Sequence, residues 1–438
     1  MRLAALILAA LIPAALILPA PLLAQDEPLR IEITDGVTEP MPIALRFEGA
    51  PGDLVARIAG VVAEDLAGTG LFTIADAADA PPTGFDSAVD YVGWKAAGSA
   101  EALVTGAVEL GGDTITLRFR LFDIFAGQPL GDGMQFDAPR EGWRRAAHKV
   151  ADQIYSRITG EAPYFDSRIA FIGESGPATA RMKRVGVMDY DGAGVKWLTA
   201  GSDLALSPRF SPDGRTVLYT SFASGTPQIM ALDIQTVTAR ALTSDPREMS
   251  FAPRFSPDGR WIAFSRESGG NTDIWIMQVG NPRFAKALTR GPSIDTAPSW
   301  SPDGQQIVFE SDRSGSSQLY VMRADGSEPT RISFGAGGGY GEPAWSPRGD
   351  RIAFTRQTPE GSAIGIMRPD GSDERLLTEG GRDAGPSWAP NGRVLIFTRM
   401  GGEDDLAQLH SVDITGRNMR PVALNDAASD PAWGPLLP

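Results

Sequence analysis

Three aspartates recur at one fixed place in the second half of the chain: Asp213, Asp258 and Asp303, each inside a Ser-Pro-Asp-Gly stretch. Carboxylates on a schedule could ligate a metal or act as paired acid and base. Turn chemistry explains them without either. Proline presets the first corner of a turn, aspartate tolerates the second, and glycine takes the positive φ that follows. The fourth and fifth copies, Ser346-Pro-Arg-Gly349 and Ala389-Pro-Asn-Gly392, lose the carboxylate and keep the turn. A metal or acid site would not tolerate that change, so a structural role is expected.

The remaining chemistry is sparse. The 438 residues include no cysteine, which removes disulfides and thiolate metal sites, and the two histidines, His148 and His410, leave little for imidazole chemistry. His148 sits on the flank of a helical apolar stripe without a serine or carboxylate motif, so a surface or partly packed role is expected. Gly173-Glu-Ser-Gly176 lacks the second glycine of a nucleophile elbow, and the glycine-rich Gly335 to Tyr340 is not followed by a helix or by Lys-Ser/Thr. The expectation is a chain with no catalytic residues, no metal and no cofactor.

What positions the aspartates is a repeat. A Pro-x-aromatic triplet ends at Phe210, Phe255, Trp300, Trp345, Trp388 and Trp433, at intervals of 45, 45, 45, 43 and 45 residues. Each period reads as four short strands, as in Val217 to Thr220, Ile229 to Ile234 and Ala239 to Thr243 after the first turn. That is a β-propeller blade, which buries its faces only against neighbours, so the ring must close. Ile169-Ala-Phe171 matches Ile262-Ala-Phe264 and Ile352-Ala-Phe354, so residues 166–200 read as a blade without its first strand. Pro431-Ala-Trp433 is a first strand without the rest. The two ends complete one shared blade, making six.

Ahead of the repeat, residues 1–24 carry Arg2, an apolar run from Leu3 to Leu18 and Pro13, Pro19 and Pro21, which read as a signal peptide cleaved after Ala24. Residues 25–165 read as a small α/β domain. Strands are expected at Arg30 to Thr34, Pro42 to Phe47, Glu101 to Leu110 and Thr114 to Ile124. One helix starts after Asp53 as N-cap, a weaker one lies around Val89 to Ala97, and a third runs from Trp143 to Gly160, packed on one face of a mixed sheet. Residues 25–165 hold 22 acids and 11 bases, a net of -11, whereas 166–438 hold 32 and 28, a net of -4. A negative first domain argues against nucleic acid.

With its leader, its acidic α/β domain and its Ser-Pro-Asp-Gly propeller, the chain resembles the TolB family of the Tol/Pal system of Gram-negative bacteria. The specific marks are Ile31-Glu-Ile-Thr-Asp-Gly-Val37 with Pro42-Ile-Ala44, Ala63-Glu-Asp-Leu66 ahead of Gly70-Leu-Phe72, and the Ala151 to Gly160 helix leading to Arg168-Ile-Ala-Phe171. The resemblance implies a monomeric, non-enzymatic periplasmic binding protein that reaches membranes only through its partners. Those partners are the lipoprotein Pal, on the propeller, and the inner-membrane protein TolA, on the mature N-terminus; other envelope proteins stay open. It also implies support of outer-membrane invagination in division and of outer-membrane integrity.

Carried onto this chain, the TolA-facing residues are Gln25, Asp26, Glu27, Pro28, Leu29, Arg30, Ile31, Glu32 and Ile33. The Pal-facing set, from loops leading into the first strands, is Arg247, Glu248, Met249, Phe251, Ala252, Asp295, Thr296, Tyr340, Glu342 and Asp383. Met249, Phe251 and Tyr340 stand out as apolar or aromatic loop residues suited to a partner's contact core. The competing reading is a secreted propeller hydrolase or lyase acting on carbohydrate or peptide.

Overall fold

The computed structural model describes residues 39–177, 180–201, 204–335, 337–401, 406–424 and 426–438. The expected leader, the strand Arg30 to Thr34 and the segment Gln25 to Ile33 lie outside them. Among the described residues no helix is long and apolar enough to cross a membrane.

The first domain runs β1 (Met41–Gly49), α1 (Leu54–Gly68), β2 (Phe72–Ile74), α2 (Tyr91–Ala97), β3 (Ala102–Gly111), β4 (Thr114–Asp123), β5 (Gln128–Pro129), β6 (Met134–Pro139) and α3 (Trp143–Thr159). The sheet order is β2-β1-β3-β4-β5, with β6 also pairing β4. β1 is parallel to both β2 and β3, and β3 and β4 form the expected hairpin. α1 and α3 cover one face, where Ile58, Val62 and Leu66 meet Ile43, Val104, Leu117, Val150 and Ile154.

The expectation that all helices share that face needs correcting. Trp94 of α2 is buried with Ala44, Leu103 and Phe122 in a separate cluster. Successive strand residues point to opposite faces, so Ile43 serves one core and Ala44 the other. Asp53 takes the expected N-cap position of α1, but its side chain makes no capping bond and instead approaches Arg57 at 3.8 Å. The side chain that does cap is Asp90, accepting from the Gly93 N–H at 3.0 Å.

Among the described residues of the second half, four four-stranded sheets and one eight-stranded sheet follow one another. Within the eight-stranded sheet, the run beginning at Tyr340–Trp345 and the run beginning at Arg382–Trp388 touch through a single parallel bridge, Ser362 to Arg382. The two ends of the domain meet as read from the sequence. Ala427–Leu436 pairs antiparallel with Ser167–Ser175, Trp433 opposite Ile169, and Met182–Asp189 and Lys196–Trp197 complete that sheet. The fourth strand of the second full blade, Asn281–Ala287, pairs with Asn271–Gln278 through a register irregularity between Met277 and Gln278.

The Ser-Pro-Asp-Gly stretches are turns in every detail. Gly214 N–H donates to Ser211 O at 2.9 Å, the Ser211 hydroxyl donates to Asp213 at 2.5 Å, and Asp213 accepts from Arg215 N–H at 3.1 Å. The serine–aspartate bond repeats at 2.5 Å in Ser256–Asp258 and Ser301–Asp303. These hydroxyl bonds come first among the causes that hold all three carboxyls below their ordinary range. The aspartates are therefore committed locally, with glycine at φ 70° after each. Gly259→Ala is expected to lower stability by about 1 kcal/mol, since a side chain at positive φ costs roughly that much. A Cβ there meets only Pro212, at 3.9 Å, so urea midpoints would report backbone strain alone.

Candidate partner-binding surface and the domain junction

Each innermost strand is bent by a bulge. Register shifts fall between Leu206 and Arg209, Phe251 and Arg254, Thr296 and Ser299, Gly341 and Ala344, Ala384 and Ser387, and Ser429 and Ala432. Three residues before each aromatic the backbone takes positive φ, at Ser207, Ala252, Ala297, Glu342, Gly385 and Asp430. The freed N–H groups tie blade to blade: Ala297 N–H donates to Ser265 Oγ at 3.0 Å, Asp430 N–H to Thr398 Oγ1 at 2.9 Å, and Gly385 N–H to Glu342 Oε2 at 2.8 Å. Residues ahead of the bulge lie toward the mouth formed by the loops that lead into these strands.

The ten residues expected at that mouth divide into two sets. Met249 is 38% exposed and Phe251 half-buried. Arg247 pairs with Asp245 at 3.0 Å in the open, its hydrogen bond holding the Asp245 carboxyl down to about 2, and Glu248 meets Arg266 at 3.1 Å. Ala252 and Glu342 are bulge residues, and Thr296 shares a 3.0 Å hydrogen bond with Ser265. Asp295, Tyr340 and Asp383 are buried.

Asp295 holds Arg313 at 2.8 and 3.0 Å, and Asp383 holds Arg399 through two 2.7 Å bonds. Tyr340 is no loop residue offered to a partner. Its ring packs 5.3 Å from Phe354 with the Arg356 guanidinium 4.0 Å above it, and its hydroxyl donates to Glu374 at 2.7 Å. Burial, then the bond to Glu374, pushes its phenol up to about 12. These three residues hold the loops from beneath. Sequence reasoning missed Ile294, 52% exposed just ahead of Asp295–Trp300, and Phe334, 68% exposed before Tyr340–Trp345. The signal was an apolar residue in the approach to a first strand.

The first domain sits at the opposite end of the ring, where the turns are. Arg348, which replaces the turn aspartate in the fourth copy, bonds Glu161 and donates to Asn391 O at 2.5 Å. Arg393, just past the fifth turn, reaches Glu161 at 3.5 Å. The two turns that depart from Ser-Pro-Asp-Gly are thus the ones that meet the domain junction.

His148 corrects the sequence expectation most sharply. It is buried, with Nδ1 2.7 Å from Asp65 Oδ2, while Asp65 Oδ1 accepts from the Tyr190 hydroxyl of the propeller at 2.6 Å. Arg144 bonds Asp191 beside them, and His148 Nε2 stands 3.9 Å from the same carboxylate. The apolar spacing of α3 leaves His148 on the helix flank; only the docked propeller puts that flank indoors. Asp65, His148 and Asp191 are the one trio among the described residues spaced to hold a metal ion. Their oxygens are committed to Tyr190, His148 and Arg144, and the guanidinium would repel a cation. The trio is a latch between domains, beside a cavity of about 160 Å3 lined by Tyr164, Arg420 and Trp433 among others.

Burial by itself would lower the His148 imidazolium, but the hydrogen bond and charge of Asp65, with Asp191, leave it raised. Asp65 is raised as well, burial outweighing its bonds. A histidine raised in the folded state contributes stability that is complete below its unfolded value and lost as pH climbs through the folded one. The urea midpoint is therefore expected to fall as pH rises from about 6 into the alkaline range. His148→Gln should flatten that slope.

The family model described as the TolB beta propeller domain matches residues 155–437, and that of the TolB amino-terminal domain matches residues 29–130. Tol-Pal system protein TolB of Roseobacter denitrificans is 54% identical over 252 residues, covering 56% of this chain and 57% of the relative. Its counterpart in Cereibacter sphaeroides is 56% identical over 243 residues, 54% of each. The chain spans about half the length of the curated relatives it matches. The crystal structure of TolB from Acinetobacter baumannii superimposes with a TM-score of 0.80 at 27% identity, over 91% of this chain and 97% of that one. An α/β domain latched to the turn end of a propeller, matched in both parts, places the chain in the TolB family.

Proposed function

We propose that this protein is a non-enzymatic periplasmic component of the Tol-Pal system, carrying Pal on its propeller and TolA on its mature N-terminus. In this reading the eight-stranded sheet counts as two blades joined by the Ser362–Arg382 bridge, and the ring has six. The observation that carries the Pal assignment is the mouth opposite the first domain. Exposed Met249, Ile294 and Phe334 ring it, and the bulged first strands hold it in place. Apolar groups on a rigid, hydrogen-bonded frame give a partner a desolvated contact core at little ordering cost. A bridge between Pal and TolA would support outer-membrane invagination and integrity.

Met249→Asp is expected to weaken Pal binding by about 2 kcal/mol, as a charge in a contact core does. Titration calorimetry of the full chain with purified Pal measures it, and an unchanged affinity rejects the mouth as the site. Thermal melting should not move, because Met249 lies outside every packed core cluster. The Gln25 to Ile33 segment would dock on TolA by adding a strand to a sheet edge. Deleting it should abolish TolA binding and spare Pal binding; retained TolA affinity would refute that role.

A further inference from the structure

The channel end nearest the turns has an asymmetry of its own. The residue immediately before each ring aromatic lies on the innermost strand; in four blades it is Ser299, Ala344, Ser387 or Ala432, and in two adjacent blades it is Arg209 and Arg254. Both arginines line a cavity of about 340 Å3, together with Ser299, Ala344 and Ser387. Two guanidinium groups therefore share one side of a space that small side chains leave open on the other.

Neither arginine is neutralised by contact. Arg209 Nη1 donates to Pro208 O at 2.6 Å and Arg254 Nη1 to Pro253 O at 3.0 Å, each a carbonyl of its own strand. Among the described residues neither has a carboxylate partner within ion-pair distance. The carboxylates that act on them, Asp430 and Glu342, stand two residues before Ala432 and Ala344 on their own strands. One oxygen of each is already held: Asp430 Oδ2 accepts from Ser207 N–H at 3.0 Å, and Glu342 Oε2 accepts from the Thr355 hydroxyl at 2.7 Å and Gly385 N–H at 2.8 Å.

Burial pushes the Arg209 guanidinium down to about 10, partly offset by Asp430 and Glu342. Burial and then the charge of Arg209 depress Arg254 further. Two half-buried like charges on neighbouring strands, with most of their donors unspent, are stabilised by a ligand that accepts from both planar forks.

We propose that this end of the channel binds a small oxyanion, of phosphate or carboxylate chemistry, clasped between Arg209 and Arg254. Trp300, Trp345 and Trp388 line the same cavity and report on its occupancy through their emission. The experiment titrates the full chain with inorganic phosphate at constant ionic strength, using chloride as the balancing ion, with acetate in a parallel arm. Wild type should show a saturable emission change and a rise in melting temperature with phosphate or acetate, the tighter of the two identifying the source class.

Arg209→Gln combined with Arg254→Gln should weaken that response by at least about tenfold, the loss of one to two charge-assisted hydrogen bonds. Without added anion the double variant should melt no lower than wild type, because it removes two neighbouring like charges that have no ion-pair partner. A wild type that responds to neither anion beyond chloride overturns the proposal. So does a saturable response that persists undiminished in the double variant. Pal and TolA binding are read separately, so failure here leaves the partner assignment standing.

Discussion

Asp65→Ala is expected to lower stability by about 3–5 kcal/mol, the usual cost of removing one partner from a buried ion pair. Asp65 is buried and serves two donors from different parts of the chain, His148 Nδ1 at 2.7 Å and the Tyr190 hydroxyl at 2.6 Å. Alanine leaves both inside without an acceptor and leaves a small void at the junction. Tyr190 packs between Tyr164 at 5.7 Å and Phe165 at 5.4 Å, so a loosened hydroxyl also slackens an aromatic cluster that spans both domains. Urea denaturation gives the magnitude, and hydrogen exchange gives the place: protection should fall in α1, α3 and residues 185–190, while blades remote from the junction keep theirs. A loss under about 1 kcal/mol would mean that the latch is dispensable.

The second large effect belongs to Asp152, which fixes the link between the domains. Its Oδ1 accepts from Tyr164 N–H at 2.7 Å and Phe165 N–H at 2.8 Å, and its Oδ2 accepts from Asp166 N–H at 3.0 Å. One residue later the chain enters the shared blade at Ser167–Ser175. Asp152→Ala orphans three buried donors, each worth about 1–3 kcal/mol, and is expected to cost about 3–5 kcal/mol once the linker relaxes. Asp152→Asn keeps an acceptor oxygen and should cost less, which separates lost hydrogen bonds from lost charge.

The same carboxyl carries a pH signature. Burial raises it to about 6 despite the three backbone donors. An acid raised in the folded state gives stability that is present below its unfolded value and declines as pH climbs through the folded one. Its contribution should therefore fall between about pH 4 and pH 6, a slope that Asp152→Asn removes. Wild-type and variant urea midpoints across that range would test it.

How much of this could be read beforehand depended on whether the cause was local. The 45-residue schedule, the turns and the blade shared by Ile169 and Trp433 follow from strand alternation and turn stereochemistry, which act over a few residues and repeat. The same reasoning assigned the recurring aspartates to turns, where their serine bonds place them. It misjudged Tyr340, because an aromatic between glycines looks exposed until a neighbouring strand supplies Phe354 and a loop supplies Glu374.

By itself, then, the sequence determined a repeat ring that closes on its own ends, preceded by an α/β domain, since period and turn chemistry are written in adjacent residues. Only the tertiary structure decided where the domains meet and which charges share an interior. Asp65 meets His148 across 83 positions and Tyr190 across 125, and Arg348 finds Glu161 across 187. Such pairs are set by how finished elements dock, a matter of three-dimensional packing that no local pattern encodes. Arg209 and Arg254 show both causes together. The repeat gives them equivalent positions, and the packing of two consecutive blades is what brings arginines 45 residues apart to one cavity.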